Sequence, residues 1–279
     1  MAAKNSSVSK SSVCLLLFCL VSTTCLAQAA RDLAWQVSVN ADRDGVHIRD
    51  QKGGTQDLPT APAMLGAVHM LPDGASALVA SRTGWVFRLD LAQGKVLTRV
   101  QVAQRINGTA LSVPPPGQSA LLAIANEWPH TLVILDSELQ AVRELPAVDP
   151  SGRLSSPLLA VRVAASRSSF IVGLKHLPEL WEVSYNPKAP EIALGMVHDF
   201  QYREGSFVPG YLNPQRIVLA TPALDFWLSS QGDEALSLHD NSETHDGSGH
   251  RRVSVTHLDV RRQVGELRLP EQLLPKHLP

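Results

Sequence analysis

Cysteine is nearly missing from this chain: Cys14, Cys19 and Cys25 are the only three among 279 residues. All lie in an amino-terminal stretch with the build of a secretory leader. Lys4 and Lys10 precede the apolar run Val13-Cys-Leu-Leu-Leu-Phe-Cys-Leu-Val21, and Ala27-Gln28-Ala29 places small residues where a signal peptidase requires them. Residues 1–29 are therefore expected to be a cleaved signal peptide, and residues 30–279 an exported, periplasmic domain. Thr24 stands where a lipoprotein box needs Gly, Ala or Ser, which argues against a lipid anchor. Cleavage after Ala29 would remove every cysteine. That excludes a disulfide framework and a thiolate metal site in the exported domain. With no Cys-x-x-Cys-His, it also excludes a covalently attached c-type haem.

Other absences narrow the reading further. No second apolar run approaches the roughly 20 residues that span a bilayer. No Gly-x-Ser-x-Gly, His-Glu-x-x-His, Walker loop or Gly-x-Gly-x-x-Gly occurs. No apolar pattern of helical period is sustained over three turns beyond the leader. Cationic excess is lacking too. Removing Lys4 and Lys10 from 25 basic residues against 26 acidic ones leaves a formal charge of −3, which argues against a nucleic-acid partner.

What the chain does hold is short Val/Ile/Leu runs bounded by 18 glycines and 19 prolines, the pattern of an all-β protein. Two stretches echo each other. Pro72-Asp73-Gly74, Ala77-Leu-Val-Ala80 and Trp85-Val-Phe-Arg-Leu-Asp90 are matched by Pro116-Gly117, Ala120-Leu-Leu-Ala123 and Thr131-Leu-Val-Ile-Leu-Asp136. The strand pair recurs as Ser169–Gly173 with Leu180–Tyr185, and again as Arg216–Ala220 with Phe226–Leu228. Val253–Asp259 followed by Val264–Leu269 repeats the outer half of the unit. Turn, apolar strand, turn, apolar strand and outer strand at about 45 residues is the signature of a propeller blade, which cannot bury its faces alone and must stack on neighbours. An all-β propeller of four-stranded antiparallel blades is expected.

His239-Asp240-Asn-Ser-Glu243-Thr-His245-Asp246-Gly-Ser-Gly-His250 gathers imidazoles and carboxylates that could ligate a metal. Nothing fixes their spacing to a turn or helix, and a solvated loop between two blades is the preferred reading. Trp128 is expected to pack between blades, as large aromatics usually do.

The run Ala123-Ile-Ala-Asn126-Glu-Trp128-Pro129-His-Thr-Leu-Val-Ile-Leu-Asp136, with Ser81-Arg82-Thr-Gly84-Trp85 before it and Phe170-Ile-Val-Gly-Leu-Lys175 after it, resembles the d1-haem-binding propeller of cytochrome cd1 nitrite reductases. It is most similar to the NirF-like proteins of haem d1 biosynthesis, which lack the cytochrome c domain. His198-Asp199-Phe-Gln-Tyr-Arg-Glu204-Gly205 through Asn213-Pro214 fits the same group. The resemblance covers roughly residues 64 to 230. It implies a periplasmic protein of denitrification that holds a d1-type haem, or its tetrapyrrole precursor, non-covalently at one end of the propeller. Other haem d1 assembly proteins or a periplasmic cytochrome are the implied protein partners. Such a ligand carries several carboxylates, so its pocket needs Arg or Lys, and an axial His if iron is held.

By that resemblance the cofactor-binding candidates are Arg82, Lys175, Arg105, Arg162 and His198, with His198 also the metal ligand. His69 does not fall in the family register, whose histidine position is Leu65 here. Arg167-Ser168-Ser169 stands where the reductases carry a histidine ahead of a strand. Without those histidines and without a c-type haem, nitrite reduction by this chain alone is not expected. The resemblance points instead to haem d1 assembly or handling, with any chemistry an oxidoreductase-like step on a d1-haem precursor; the alternatives are a non-enzymatic propeller scaffold that has lost haem binding, and a cytochrome cd1-like nitrite reductase subunit that borrows electrons from a separate cytochrome. The family propeller has eight blades, and the 250 residues after Ala29 suffice for five or six of about 45 residues.

Overall fold

The computed structural model describes residues 35–60, 64–115, 117–196, 205–240 and 250–270. These form five consecutive blades, all strands antiparallel within each. Blade 1 comprises β1 (Trp35–Val39), β2 (Gly45–Asp50) and β3 (Thr55–Pro59); blade 2 comprises β4 (Leu65–Met70), β5 (Ser76–Ser81), β6 (Trp85–Asp90) and β7 (Lys95–Gln101). Blade 3 holds β8 (Arg105–Leu111), β9 (Leu122–Trp128), β10 (Thr131–Leu135) and β11 (Ala141–Pro146). In blade 4, β12 (Leu158–Ala164), β13 (Ser169–Leu174) and β14 (Glu179–Ser184) are followed by a separate hairpin, β15 (Ile192–Met196) and β16 (Gly205–Val208), before the outer strand β17 (Pro214–Val218). Blade 5 runs β18 (Ala223–Leu228), β19 (Glu234–His239), β20 (His250–His257) and β21 (Arg262–Pro270).

Successive blades stack through their inner strands: β4 on β8, β8 on β12, β12 on β18. The second strand of a blade also meets the next blade's inner strand, as β9 meets β12 and β13 meets β18. β1 packs on β4 in the same way, which assigns β1 the second-strand place in blade 1. A repeated main-chain bond supports this: Arg43 O accepts from Leu65 N at 2.9 Å, as Arg82 O accepts from Ile106 N at 3.0 Å one blade on.

The second strands explain why the repeat is apolar where it is. Side chains alternate between the two faces of a strand, and each face of β5, β9 and β13 is covered by a different neighbour. Ala77 and Val79 pack with blade 1, while Leu78 and Ala80 pack with blade 3. Leu122 and Ile124 face blade 2, and Ala123 and Ala125 face blade 4. Phe170 and Val172 turn to blade 3, and Ile171 to blade 5. A strand buried on both faces reads as a continuous apolar run, and each large side chain so buried contributes about 1.5–3 kcal/mol of transfer free energy.

One expected pairing is corrected by the structure. The segments Arg216–Ala220 and Phe226–Leu228 do not pair: β17 closes blade 4 against β14, and β18 opens blade 5 against β19. The β15–β16 hairpin, inserted ahead of the outer strand, shifts the repeat phase. The His239–His250 segment likewise connects the second and third strands of blade 5, not two blades.

Candidate functional site

The turns between second and third strands all lie at one end of the blades, beside the entries to the inner strands. Register aligns them residue by residue. Leu65 pairs with Ser81, Ile106 with Asn126, Leu158 with Leu174 and Ala223 with His239. All four inner-strand partners are buried, so they anchor the residue that follows each paired second-strand residue at the same height in each blade. That residue is Arg82 in blade 2, Glu127 in blade 3, Lys175 in blade 4 and Asp240 in blade 5. The main chain repeats as well: Arg82 N donates to Met64 O at 2.9 Å and Lys175 N to Pro157 O at 3.0 Å, each acceptor just ahead of an inner strand.

The structure therefore brings Arg82, Arg105 and Lys175 to one rim. Arg82 is exposed and makes no side-chain hydrogen bond or ion pair among the described residues. Its turn requires Gly84, whose φ is +91° and where a Cβ would lie 1.8 Å from Ala103 O. Arg105, at the start of β8, is 70% exposed and bonds Glu127 Oε2 through Nε at 2.9 Å. Lys175 Nζ reaches Glu127 Oε1 at 3.9 Å and is 47% exposed. Trp128, the cross-strand neighbour of Arg105, does not pack between blades as expected but stands 54% exposed, edge-on to His130 at 5.3 Å. Trp128 is the last residue of β9, beyond the buried run Leu122–Asn126. An exposed indole cross-strand from Arg105, at the same end of the blades as Arg82 and Lys175, presents the two surfaces a carboxylate-bearing macrocycle requires, a π face and charge-assisted donors.

Arg162 sits elsewhere, on the inner strand β12. Its Nε donates to Phe226 O at 2.6 Å, its Nη2 meets Asp225 Oδ1 at 3.1 Å, and the guanidinium lies over the Phe226 ring at 5.3 Å. It ties blade 4 to blade 5. Arg167 occupies the opposite end of blade 4, bonding Glu182 at 2.9 Å and Asp259 at 2.5 Å beside a cavity of about 350 Å³ also lined by Arg261. Leu65, at the family's histidine position, is fully buried. His198, the leader and residues 241–249 lie outside the described residues, among which no group of histidines and carboxylates is placed to hold a metal.

His69 lies on β4 with Nε2 2.8 Å from Thr109 Oγ1 of β8. Burial lowers its pKa to about 4, so it is neutral in the fold and charged on unfolding below its ordinary value of 6.5. Stability is thus intact above pH 6.5 and falls as pH drops towards 4. His239, buried between Thr221 and Ser254, is shifted down for the same reason and adds to the loss. Urea unfolding at pH 7.5 and 4.5 should show His69 contributing about 2–3 kcal/mol to the difference. His69→Gln should remove that share; an unaltered pH dependence would refute it.

Sequence reasoning gave no role to two rim residues. Glu127 was legible from aligning Ala80-Ser81-Arg82, Ala125-Asn126-Glu127 and Gly173-Leu174-Lys175, but its opposite charge hides the equivalence. Arg43 precedes Asp44-Gly45 as Arg82 precedes Thr83-Gly84, and is exposed on the corresponding turn. Trp128 stands out in the sequence, but as an inter-blade packing residue rather than as part of an exposed rim.

Comparison with known proteins follows this geometry. A family model described as Cytochrome D1 heme domain matches residues 36–250. Dihydro-heme d1 dehydrogenase of Pseudomonas aeruginosa is 38% identical over 138 residues, which cover 48% of this chain and 27% of that protein. A solved structure of dihydro-heme d1 dehydrogenase NirN in complex with DHE superposes with a TM-score of 0.66 at 27% identity, covering 85% of this chain and 44% of that one. The chain thus spans less than half the length of either relative.

Proposed function

Because this chain belongs to the cytochrome D1 heme domain family, we propose that it holds a d1-type haem or its tetrapyrrole precursor on the rim built by Arg82, Arg105, Trp128 and Lys175, and serves haem d1 biosynthesis or handling in the periplasm. The observation that carries the reading is the convergence of these side chains from three blades at one end of a propeller of that family. Arg82 and Lys175 would take ligand carboxylates in charge-assisted bonds, and the face of Trp128 would lie against the macrocycle. His198, from the family-like segment, is the proposed axial ligand. When bound, the haem supplies a redox-active centre. The protein's own share is to bind, orient and shield it. Export by the leader at residues 1–29 would bring the chain to the compartment of its proposed assembly partners.

An anaerobic titration of the purified chain with d1-type haem, followed by its visible spectrum, tests this. A saturable shift at about one haem per chain, weakened by His198→Ala, is the expected result. The second reading, a propeller that binds a protein partner and no haem, is favoured by the buried Leu65 at the family's histidine position. It predicts no shift from the folded protein.

A further inference from the structure

The four equivalent rim positions alternate in charge: Arg82, Glu127, Lys175, Asp240. Of the two carboxylates, Glu127 stands between cations of two blades and contacts both, Arg105 at 2.9 Å and Lys175 at 3.9 Å. It is the least exposed of the three, at 25% against 70% and 47%, so its charge is held at the rim while the cations reach into solvent. Arg82, one blade away, has no such counter-ion among the described residues.

We propose that Glu127 is the built-in counter-ion of the rim, a specificity-determining residue that occupies Arg105 and Lys175 until carboxylates of the ligand displace it. This rests on the haem-holding reading and deepens it. The physical consequence is a penalty on ligand carboxylates at two of the three rim cations. An anionic group approaching Arg105 or Lys175 must compete with a carboxylate already in place and meets its repulsion, whereas one approaching Arg82 does not. A ligand with a single carboxylate is served by Arg82 alone. A polycarboxylate engages the remaining cations as well only by displacing Glu127, so Glu127 tempers the affinity of the rim for multiply charged ligands and leaves that for uncharged macrocycles unaltered. Neutralising Glu127 removes the competitor and should tighten binding of any multiply charged macrocycle, with no gain for an uncharged one.

Two readouts test this. The first needs no ligand: acetylation of Lys175 by dilute acetic anhydride, which releases acetate as the amide forms, followed by mass spectrometry. Glu127→Gln should raise its rate, because the ammonium loses its partner. The second is fluorescence titration with coproporphyrin, which carries four carboxylates, and with its uncharged tetramethyl ester. Glu127→Gln should bind coproporphyrin about three- to fivefold more tightly, the scale of an exposed ion pair, and the ester unchanged. Glu127→Asp, which keeps the charge, should bind as the unaltered protein does. Unchanged Lys175 labelling overturns the counter-ion assignment. Faster labelling without tighter coproporphyrin binding overturns the selective role, as does an equal gain for the ester. Binding of neither porphyrin by any variant, with Lys175 labelling altered, overturns the haem-holding reading and this inference with it.

Discussion

Arg82→Ala is expected to weaken d1-type haem binding by about 10- to 100-fold, the cost of one charge-assisted hydrogen bond of about 1.5–3 kcal/mol to a ligand carboxylate. Arg82 bears the largest single effect because its guanidinium is exposed and makes no side-chain bond among the described residues. Nothing must be released before it binds, and nothing compensates its loss. Lys175→Ala should cost less, since Lys175 already shares Glu127 with Arg105 and part of its charge is answered within the protein. The double variant should lose more than either single one. Spectral titration of the three proteins checks the order, while matched unfolding midpoints exclude a general loss of structure. An Arg82→Ala protein that binds as well as the unaltered one would remove this residue from the site.

Phe226→Ala is expected to lower stability by about 3–5 kcal/mol, the range for deleting a fully buried aromatic. The ring is 0% exposed. It reaches from the inner strand of blade 5 onto blade 4, where a Cβ on Gly173 would stand 2.9 Å from its edge. Gly173 is thus the gap the ring fills, and Ile171, Leu180 and Ile217 enclose it. Arg162 covers the ring and bonds the Phe226 carbonyl. Arg162→Ala should therefore also shift the urea midpoint downwards, by a smaller amount, with haem affinity retained. Affinity lost with stability unchanged would instead place Arg162 in the binding site, the role its resemblance to family residues implies.

The blades were readable from sequence because their signals are local. A second strand squeezed between two neighbours must be apolar on both faces, and Ala77–Ala80, Leu122–Ala125 and Phe170–Val172 are. The slip at β17 and β18 came from an insertion, and a fixed-period repeat carries no mark of one. At the rim, Arg82 and Lys175 stood out through family resemblance, and register then showed them to be the same position in two blades. Arg162 lies apart from them on β12, and an arginine on an inner strand carries no local sign of which end of the propeller, or which neighbouring blade, it will face. The role of Glu127 depends on a three-way contact among β8, β9 and the end of β13, visible only once strands are paired.

The most direct measurement of the central claim is hydrogen exchange of the purified chain, with and without d1-type haem, followed by peptide. Haem held at the rim predicts slowed exchange at residues 81–84, 104–106, 127–131 and 175–178, with residues 165–168 and 258–261 at the opposite end unaffected. Protection confined to the opposite end, around Arg167 and Asp259, or none anywhere at saturating haem, would contradict it.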